Sequence, residues 1–259
     1  MNRISAPIVL ALLFSTLFLP AEDWPTYRRD RLRRAITPEK LQLPLKQVWA
    51  FRSRQSKHAP VPTRDPTRAG FPECSKYNLP IISAGDSVYF TRSVEGRVVS
   101  LDAATAKKNW EYFSGAGIYR TPMFWEGKLY FGSDDGHVYC LDAGTGKLKW
   151  RSRLAPRQRR VPGNGRVVSV WPVRSSVLVE GRLLYCCAGL FPRQGVYYCA
   201  IDARSGKVVT RKKVTISPQG SLCRQGEKIF LSQRRSPDAL VSSLKRTGQG
   251  TTDQLSSLS

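Results

Sequence analysis

Apolar and polar positions along this chain follow a recurring unit that contains four short apolar runs. In the clearest unit the runs cover residues 122–125, 128–131, 137–141 and 147–151, and they are rich in aromatic and β-branched residues. Turns that contain Gly or Asp separate the runs. Because no stretch has the period of an amphipathic helix, the pattern predicts four short antiparallel strands per unit.

The unit is repeated along the chain. Residues 96–110 and 136–150 are identical at eight of fifteen positions, at an offset of 40. A third copy places Asp202 60 residues after Asp142, and its 20 extra residues all fall between the predicted strands. A fourth copy begins at Ser217 and never reaches an Asp-Ala-x-Thr-Gly motif.

Stacked copies of such a unit predict a β-propeller. A four-stranded sheet of about 40 residues cannot bury both of its faces alone, so neighbouring copies must cover each other. We therefore predict an all-β fold, a β-propeller of four-stranded antiparallel blades with tryptophan-docking repeats, incomplete at about three and a half blades. The repeats span residues 80–235, with blades at about 80–117, 118–156 and 168–215 and a partial blade at 216–235.

Each unit ends in a recurrent turn. In the second unit we expect Asp142 to accept hydrogen bonds from backbone N–H groups, and the Thr-Gly pair that follows to form a tight turn with a positive φ at Gly146. We expect Trp150 to fill the seam between two blades. The first unit has Ala106 in place of the turn glycine, and the third has Thr210 in place of the tryptophan. The predicted structural docking residues are Asp102, Thr105, Trp110, Asp142, Gly144, Thr145, Gly146, Trp150, Asp202, Ser205 and Gly206.

These residues carry a family resemblance. Residues 141–150, Leu-Asp-Ala-Gly-Thr-Gly-Lys-Leu-Lys-Trp, resemble the tryptophan-docking repeat of the quinoprotein propellers, the pyrroloquinoline quinone (PQQ) dehydrogenase-like superfamily that includes the outer-membrane assembly factor BamB. The opening at residues 23–30, followed by 36–41 and 45–49, is similar to the start of secreted bacterial PQQ-binding-like β-propeller repeat proteins. The resemblance covers about residues 23–235 and implies the fold, but dehydrogenases and scaffolds share it.

PQQ as a cofactor is implied only by this resemblance. A quinone-dependent dehydrogenase would need acidic calcium ligands, a catalytic Asp and an aromatic stacking surface, and we cannot map these onto the chain. We therefore expect no cofactor.

An incomplete ring follows from the repeat count. Residues 45–51, which include Trp49, have the pattern of an outer strand that lacks the other three strands of its blade. Such a strand closes a ring by pairing with the last blade, but after Phe230 the sequence becomes rich in Ser, Thr and Gln. We therefore expect a truncated member of the family, an open arc whose exposed edges associate.

Composition and charge bear on function. Lys and Arg number 42 against 19 Asp and Glu, a net charge of +23, and there are two His and no Cys-x-x-Cys pair. Because zinc sites and imidazole catalysis need such residues, we expect no enzyme, and no catalytic, cofactor-binding or metal-binding residue. Basic clusters at 28–34, 151–166, 204–213 and 224–235 favour other proteins or an anionic cell-surface polymer as partners, or a solvated surface with no dedicated ligand.

Three isolated features have two interpretations each. Adjacent Cys186 and Cys187 are either a strained vicinal disulfide or, as we expect, two buried free thiols, and hairpin register is expected to place Cys186 opposite Tyr197. His137 follows two aspartates and a glycine, and we interpret it as the first residue of a strand rather than a metal ligand. We interpret His58 as a solvated loop residue rather than a functional one.

The beginning of the chain predicts export. Residues 1–21 contain a short basic start, an apolar run at 6–19 and a small residue before Glu22, which is typical of a cleaved signal peptide. We expect a bacterial periplasmic or secreted protein with no stable membrane span after cleavage and no nucleic-acid partner. Residues 22–79 are expected to form an extended segment with a ring-closing strand, and 236–259 a disordered polar tail.

The sequence thus predicts an exported non-catalytic β-propeller scaffold that binds a protein or an anionic polymer. The alternative function is a fragment of a PQQ-dependent dehydrogenase-like quinoprotein.

Overall fold

The computed structural model describes residues 22–41, 43–51, 80–93, 95–163, 166–215, 217–226, 228–233, 241–245 and 256–257. These residues form four four-stranded sheets and a separate two-stranded hairpin. Blade 1 contains β1 (Ile81–Ala84), β2 (Ser87–Arg92), β3 (Arg97–Asp102) and β4 (Lys108–Phe113), and blade 2 contains β5 (Met123–Trp125), β6 (Lys128–Gly132), β7 (His137–Asp142) and β8 (Leu148–Arg153). The hairpin contains β9 (Arg160–Gly163) and β10 (Arg166–Ser169). Blade 3 contains β11 (Leu178–Glu180), β12 (Leu183–Ala188), β13 (Val196–Asp202) and β14 (Val208–Val214), and blade 4 contains β15 (Pro218–Gln225), β16 (Lys228–Gln233), β17 (Val241–Lys245) and β18 (Ser256–Ser257).

The four sheets have the same topology. In each one the strands lie side by side in sequence order, and every neighbouring pair is antiparallel. This is the topology of a propeller blade, and the predicted all-β propeller fold is confirmed. The predicted signal peptide, Cys74 and His58 lie outside the described residues.

The hydrophobic core lies between the blades. Three clusters of buried side chains join blade 1 with blade 2, blade 2 with blade 3, and blade 3 with blade 4. Because side chains alternate across a strand, Leu129 and Phe131 of β6 face the first seam, whereas Tyr130 between them faces the second. Both faces of a blade are therefore buried, which explains why the strands read as continuous apolar runs.

Blade 4 extends further along the chain than the sequence indicated. Strands β17 and β18 lie within residues 236–259, where we expected a disordered tail, and they complete a fourth sheet where we expected half a blade. The second edge of β16 presents backbone N–H and C=O groups, and β17 pairs with them. Such backbone pairing needs no docking motif, so the repeat motif in the sequence does not mark β17.

The long connection between blades 2 and 3, which we expected to be a loop, contains the β9–β10 hairpin. A hydrogen bond from the Val170 N–H to the Arg159 carbonyl, at 3.0 Å, closes the base of the hairpin, and the Ser169 N–H donates to the Asp134 carbonyl of blade 2 at 2.8 Å. The described residues contain one helical element, a 3-10 turn at Pro192–Gln194. None of their helices has the length and apolar character that a membrane crossing requires.

Blade 3 corrects the predicted cysteine register. Cys186 lies opposite Cys199 and not opposite Tyr197. The pairing is anchored at the other end of the hairpin, where Leu183 lies opposite Asp202 at the docking turn. The predicted register assumed a simple hairpin connection between the two strands. The actual connection is a longer loop that contains the 3-10 turn, and it shifts the pairing to the observed register.

Residues 24–33, which we call the strap, contact the first strand of every blade. The contacts are Trp24 with Ser83 of β1, at backbone N–O distances of 2.9 and 3.1 Å; Pro25 O with Phe124 N of β5, at 2.8 Å; Arg31 with Glu180 of β11, at 3.7 Å; and Arg31 O with Arg224 N of β15, at 2.9 Å. The strap therefore joins all four blades.

Residues 45–51, which we call the docking segment, were expected to form a ring-closing strand, and that expectation remains a prediction. Among the described residues no strand pairs with this segment. It nevertheless binds blade 1, because the indole N–H of Trp49 donates to the Ala103 carbonyl at 2.8 Å. A strand needs a neighbour for its ladder, and the described part of blade 4 does not supply one here.

Candidate functional site

The three predicted aspartates each organise their own turn. Each carboxylate accepts two hydrogen bonds from the residue three positions later, one from its backbone N–H and one from its hydroxyl. The partners are Thr105 for Asp102, at 2.8 and 2.6 Å, Thr145 for Asp142, at 3.0 and 2.9 Å, and Ser205 for Asp202, at 2.8 and 2.8 Å. The hydrogen bonds from Thr105 and Thr145 lower the pKa of Asp102 and of Asp142.

In Asp202 a hydrogen bond from Arg182 is the largest of the causes that lower the carboxyl pKa to about 2. All three carboxylates are therefore ionised at neutral pH and engaged with their own turns. Gly144 lies in the second turn, where a Cβ would be 3.7 Å from the Asp142 carboxylate, so it makes no close approach to another blade.

The second and third turns also receive the tryptophan of the preceding blade. The indole N–H of Trp110 donates to the Ala143 carbonyl at 2.9 Å, and that of Trp150 donates to the Ala203 carbonyl at 3.1 Å. Gly146 and Gly206 have φ values of 69° and 75°, and a Cβ at these positions would come within 2.5 Å of Trp110 and 2.6 Å of Trp150. Gly146 and Trp150 are four residues apart, but they lie in different seams. Gly146 contacts the tryptophan of blade 1, whereas Trp150 contacts blade 3.

The aspartates that precede His137 do not gather around it. Asp134 is buried and accepts two hydrogen bonds from Arg174, at 2.8 and 2.7 Å, while burial raises the pKa of its carboxyl. Asp135 accepts a hydrogen bond from the Tyr139 hydroxyl and lies 3.4 Å from His137 Nδ1. Across the described ranges, no group of three or more His, Cys, Asp or Glu is arranged to hold a metal ion.

The adjacent cysteines are part of the core. Cys186 belongs to the cluster between blades 2 and 3, and Cys187 to the cluster between blades 3 and 4, because the two side chains point to opposite faces of β12. Both are free thiols, and burial raises the pKa of each well above its ordinary value. They therefore line no cleft where a ligand could reach them.

The arginine cluster at residues 28–34, expected to be part of a partner surface, is partly structural. Arg33 is buried; its Nε donates to the Leu222 carbonyl at 2.9 Å and its Nη1 donates to the Thr26 hydroxyl at 2.7 Å. Burial lowers the pKa of the guanidinium to about 10. This arginine fastens the strap to β15 and is not available to a partner.

The outer strands of blades 2 and 3 and the intervening hairpin form a strongly basic surface. Between Ala143 and Val179 the sequence has nine Lys and Arg and no Asp or Glu. Arg211 Nη2 of β14 lies 3.5 Å from the Arg153 carbonyl of β8, so two clusters that are separate in sequence meet in the structure. We call this set of exposed side chains the basic surface: Lys149, Arg151, Arg153, Arg157, Arg159, Arg160, Arg211 and Lys213.

The charges of blade 1 are arranged differently. Arg97 pairs with Glu95 at 3.2 Å and also with Glu111, and Lys108 pairs with Glu111 at 3.2 Å. On the basic surface the salt bridge that we observe is between Lys149 and Asp142, at 3.2 Å. The basic surface is thus a concentration of positive charge with few acidic neighbours, in contrast to the balanced blade 1.

Sequence comparison identifies relatives of two kinds. A family model described as "Outer membrane protein assembly factor BamB" matches residues 46–225. The chain is 26% identical over 179 residues to the dehydrogenase subunit of a quinone alcohol dehydrogenase from Gluconacetobacter polyoxogenes, a match of 64% of this chain and 24% of the relative. It is 30% identical over 152 residues to the corresponding subunit from Gluconobacter oxydans, a match of 54% of this chain and 19% of the relative. The matched region thus spans a quarter or less of these relatives' length.

Solved propeller structures share the fold. A europium-containing methanol dehydrogenase superposes with a TM-score of 0.57 at 12% identity, over 85% of this chain and 42% of that one. The quinohemoprotein alcohol dehydrogenase from Comamonas testosteroni superposes with a TM-score of 0.55 at 16% identity, over 86% of this chain and 39% of that one.

These relatives contradict the expectation that the chain is not part of an enzyme. That expectation was wrong because several of the most similar sequences are subunits of quinone alcohol dehydrogenases. The presence of only two His and the lack of a Cys-x-x-Cys pair argue against zinc and imidazole chemistry, but they do not bear on chemistry that a cofactor supplies.

Proposed function

The chain belongs to the family of PQQ-type propeller repeats described as outer membrane protein assembly factor BamB, and on this premise we propose that it is an exported interaction scaffold that binds an acidic protein partner. The observation that carries the proposal is the basic surface on β8, β14 and the β9–β10 hairpin. A periplasmic or secreted location is supported by the apolar run near the start of the chain.

The physical argument concerns charge density. The arginines and lysines of the basic surface are exposed, and together they produce a positive potential that extends about 8 Å into physiological salt. An acidic partner is attracted over this range and then forms direct salt bridges. Exposed pairs contribute about 0.2–1 kcal/mol each, so several must act together for useful affinity.

The test measures binding of poly-glutamate, as a probe for an acidic polypeptide, to the full chain by fluorescence anisotropy. In the test variant Arg151, Arg153 and Arg157 are changed to Ser. In the matched control Lys40, Lys107 and Lys108, which are also exposed, are changed to Ser, so both variants lose three positive charges.

We expect the test variant to bind at least fivefold more weakly than the control, from three surface pairs at about 0.5 kcal/mol each. An equal loss in both variants would mean that net charge alone governs binding and would refute a dedicated surface. Competition by dextran sulfate that exceeds competition by poly-glutamate would instead favour an anionic polysaccharide as the partner.

The dehydrogenase relatives favour a second candidate function, in which the chain forms part of the propeller of a quinone-dependent alcohol dehydrogenase-like protein. The described residues do not fit PQQ and its calcium ion, because no suitable acidic group is gathered among them and the adjacent cysteines are enclosed in the seams. We therefore derive no catalytic step.

Equilibrium dialysis of the full chain against PQQ, with and without calcium, tests this second candidate. Calcium-dependent binding of one PQQ per chain would favour the dehydrogenase-like function. Binding no greater than that of an unrelated basic protein would favour the scaffold.

A further inference from the structure

The docking segment at residues 45–51 reproduces the contacts of a blade's outer strand. Its Trp49 donates to the Ala103 carbonyl at 2.8 Å, as Trp110 of β4 donates to the Ala143 carbonyl at 2.9 Å. Phe51 lies against Phe90 of blade 1, with ring centroids 4.9 Å apart.

The same relation recurs one blade further on. Tyr112, two residues after Trp110, lies against Phe131 of blade 2 with centroids 6.4 Å apart. A lysine also precedes each docking tryptophan by three positions, at Lys46 and Lys107. The docking segment therefore occupies the place of an outer strand that belongs to a blade before blade 1.

The described residues supply no ladder partner for the backbone of the docking segment. Among the described residues, no strand pairs with residues 45–51. Leu45 and Val48 are 67% and 79% exposed, which is unusual for side chains of their type in a strand position. An unpaired strand with exposed apolar side chains is a site at which another sheet can add.

In the part of the chain that the structure describes, blade 4 has a complementary gap at its outer edge. Its outer strand β18 contains two residues and pairs with β17 only at Ser242 and Ser243. By contrast β4 and β8 contain six residues each. Among the described residues, blade 4 thus has three longer strands and an outer strand of two residues, whereas the docking segment has the contacts of an outer strand and pairs with no sheet.

We propose that the docking segment of one copy of this chain adds to the β17 edge of blade 4 in a second copy, in place of β18. The core clusters of the described residues join blades 1 to 2, 2 to 3 and 3 to 4, and none joins blade 4 to blade 1. The two deficient edges therefore lie at opposite ends of the four-blade series.

Two copies joined in this way satisfy both ends at once. Each copy donates one docking segment and accepts one, so the association closes with twofold symmetry and pairs both of these edges. The product is a ring of eight blades, which lies within the range of four to eight that propellers adopt.

The test measures the mass of the full chain by light scattering over a thousandfold range of concentration. Alternate backbone N–H groups of a strand point to opposite edges, so either residue 47 or residue 48 presents its N–H to the added sheet. The variants are Gln47→Pro and Val48→Pro, each of which removes one N–H at an exposed position. The matched controls, Gln47→Ser and Val48→Ser, remove the same side chains and keep the N–H.

We expect a dimer for the starting chain and for both serine controls. For at least one proline variant, the concentration at which half of the dimer dissociates should be at least tenfold higher than for its serine control. An unchanged near-ultraviolet circular dichroism spectrum would verify that Trp49 and the seams are intact in each variant.

Three results would overturn the proposal. They are a monomer at every concentration, a mass that grows without limit as concentration rises, and a dimer that neither proline variant weakens. The first would mean that the chain closes or remains open by itself, and the second that the copies join without closing.

Discussion

Replacing Gly146 with alanine adds one methyl group at the point where blade 2 receives the tryptophan of blade 1. Gly146 has a left-handed φ of 69°, and the new Cβ would lie 2.5 Å from Trp110 Cδ2 and 2.6 Å from Cε3. Real Cβ atoms make essentially no contacts below 3.0 Å, so the indole must move. Its movement would also break the hydrogen bond to the Ala143 carbonyl.

A second glycine provides the matched control. Gly127 has a φ of 70°, and a Cβ there would meet nothing within 4 Å. Both alanine substitutions therefore place a side chain in the left-handed region, at a cost of about 1–2 kcal/mol. Gly146→Ala adds crowding against the indole, about 1–3 kcal/mol, and the loss of one hydrogen bond, about 1 kcal/mol. We expect it to lower the free energy of unfolding by about 2–4 kcal/mol more than Gly127→Ala.

Urea unfolding followed by tryptophan fluorescence and far-ultraviolet circular dichroism measures this difference. The two variants should have the same dependence of free energy on urea concentration and different midpoints, because the change affects stability and not the exposed surface. If the midpoints of the two variants coincide, the seam accommodates a Cβ at Gly146, and the explanation of the docking turn is refuted.

The remaining predictions concern the same turns and the core. Ala106→Gly should raise the free energy of unfolding in urea by about 1 kcal/mol, since Ala106 has a left-handed φ of 58°; a decrease would contradict the strain. The folded-state pKa of Asp202, about 2, lies below the ordinary 3.8, so its stabilising effect is complete above this ordinary value and is lost as the pH falls through about 2. Asp202→Asn should therefore flatten this part of a profile of thermal stability against pH, and an unchanged slope would count against the pairing with Arg182. The thiols of Cys186 and Cys187 should resist iodoacetamide in the folded protein and react after unfolding in urea, and rapid labelling of the native protein would show that the seams open.

The parts of the fold that repeat could be predicted from the sequence. The turn that begins at Asp142 recurs with the same spacing at Asp102, and this repetition indicates that both turns have the same structural role. The pattern of residues 45–51, which include Trp49, also indicated an outer strand. These signals are local, and each depends on residues close together in the chain.

Features that depend on distant residues were beyond this reasoning. The hydrogen bond from Arg33 to Leu222 joins positions 189 residues apart, and no local pattern marks either residue. The register of Cys186 depends on the conformation of a seven-residue loop, and the alternation of residues in the strands does not predict that conformation. The basic surface was visible as two clusters, but their meeting at Arg153 and Arg211 required the stacking of two blades.

The strap has a consequence for how the protein unfolds. In a repeat protein each unit touches only its neighbours, so terminal units detach one at a time and unfolding spreads over a series of small steps. Here residues 24–33 bind the first strands of all four blades, which adds links between units that are not neighbours. Blade 4 cannot separate without breaking the contacts of Arg31 and Arg33.

The strap thus converts a modular array into a more cooperative unit. It also imposes an order during synthesis, when a chain emerges from its N-terminal end. The strap is made before any of the four blades, yet its last contacts are with β15 of blade 4. The strap must therefore wait for the fourth blade before it makes all of its native contacts.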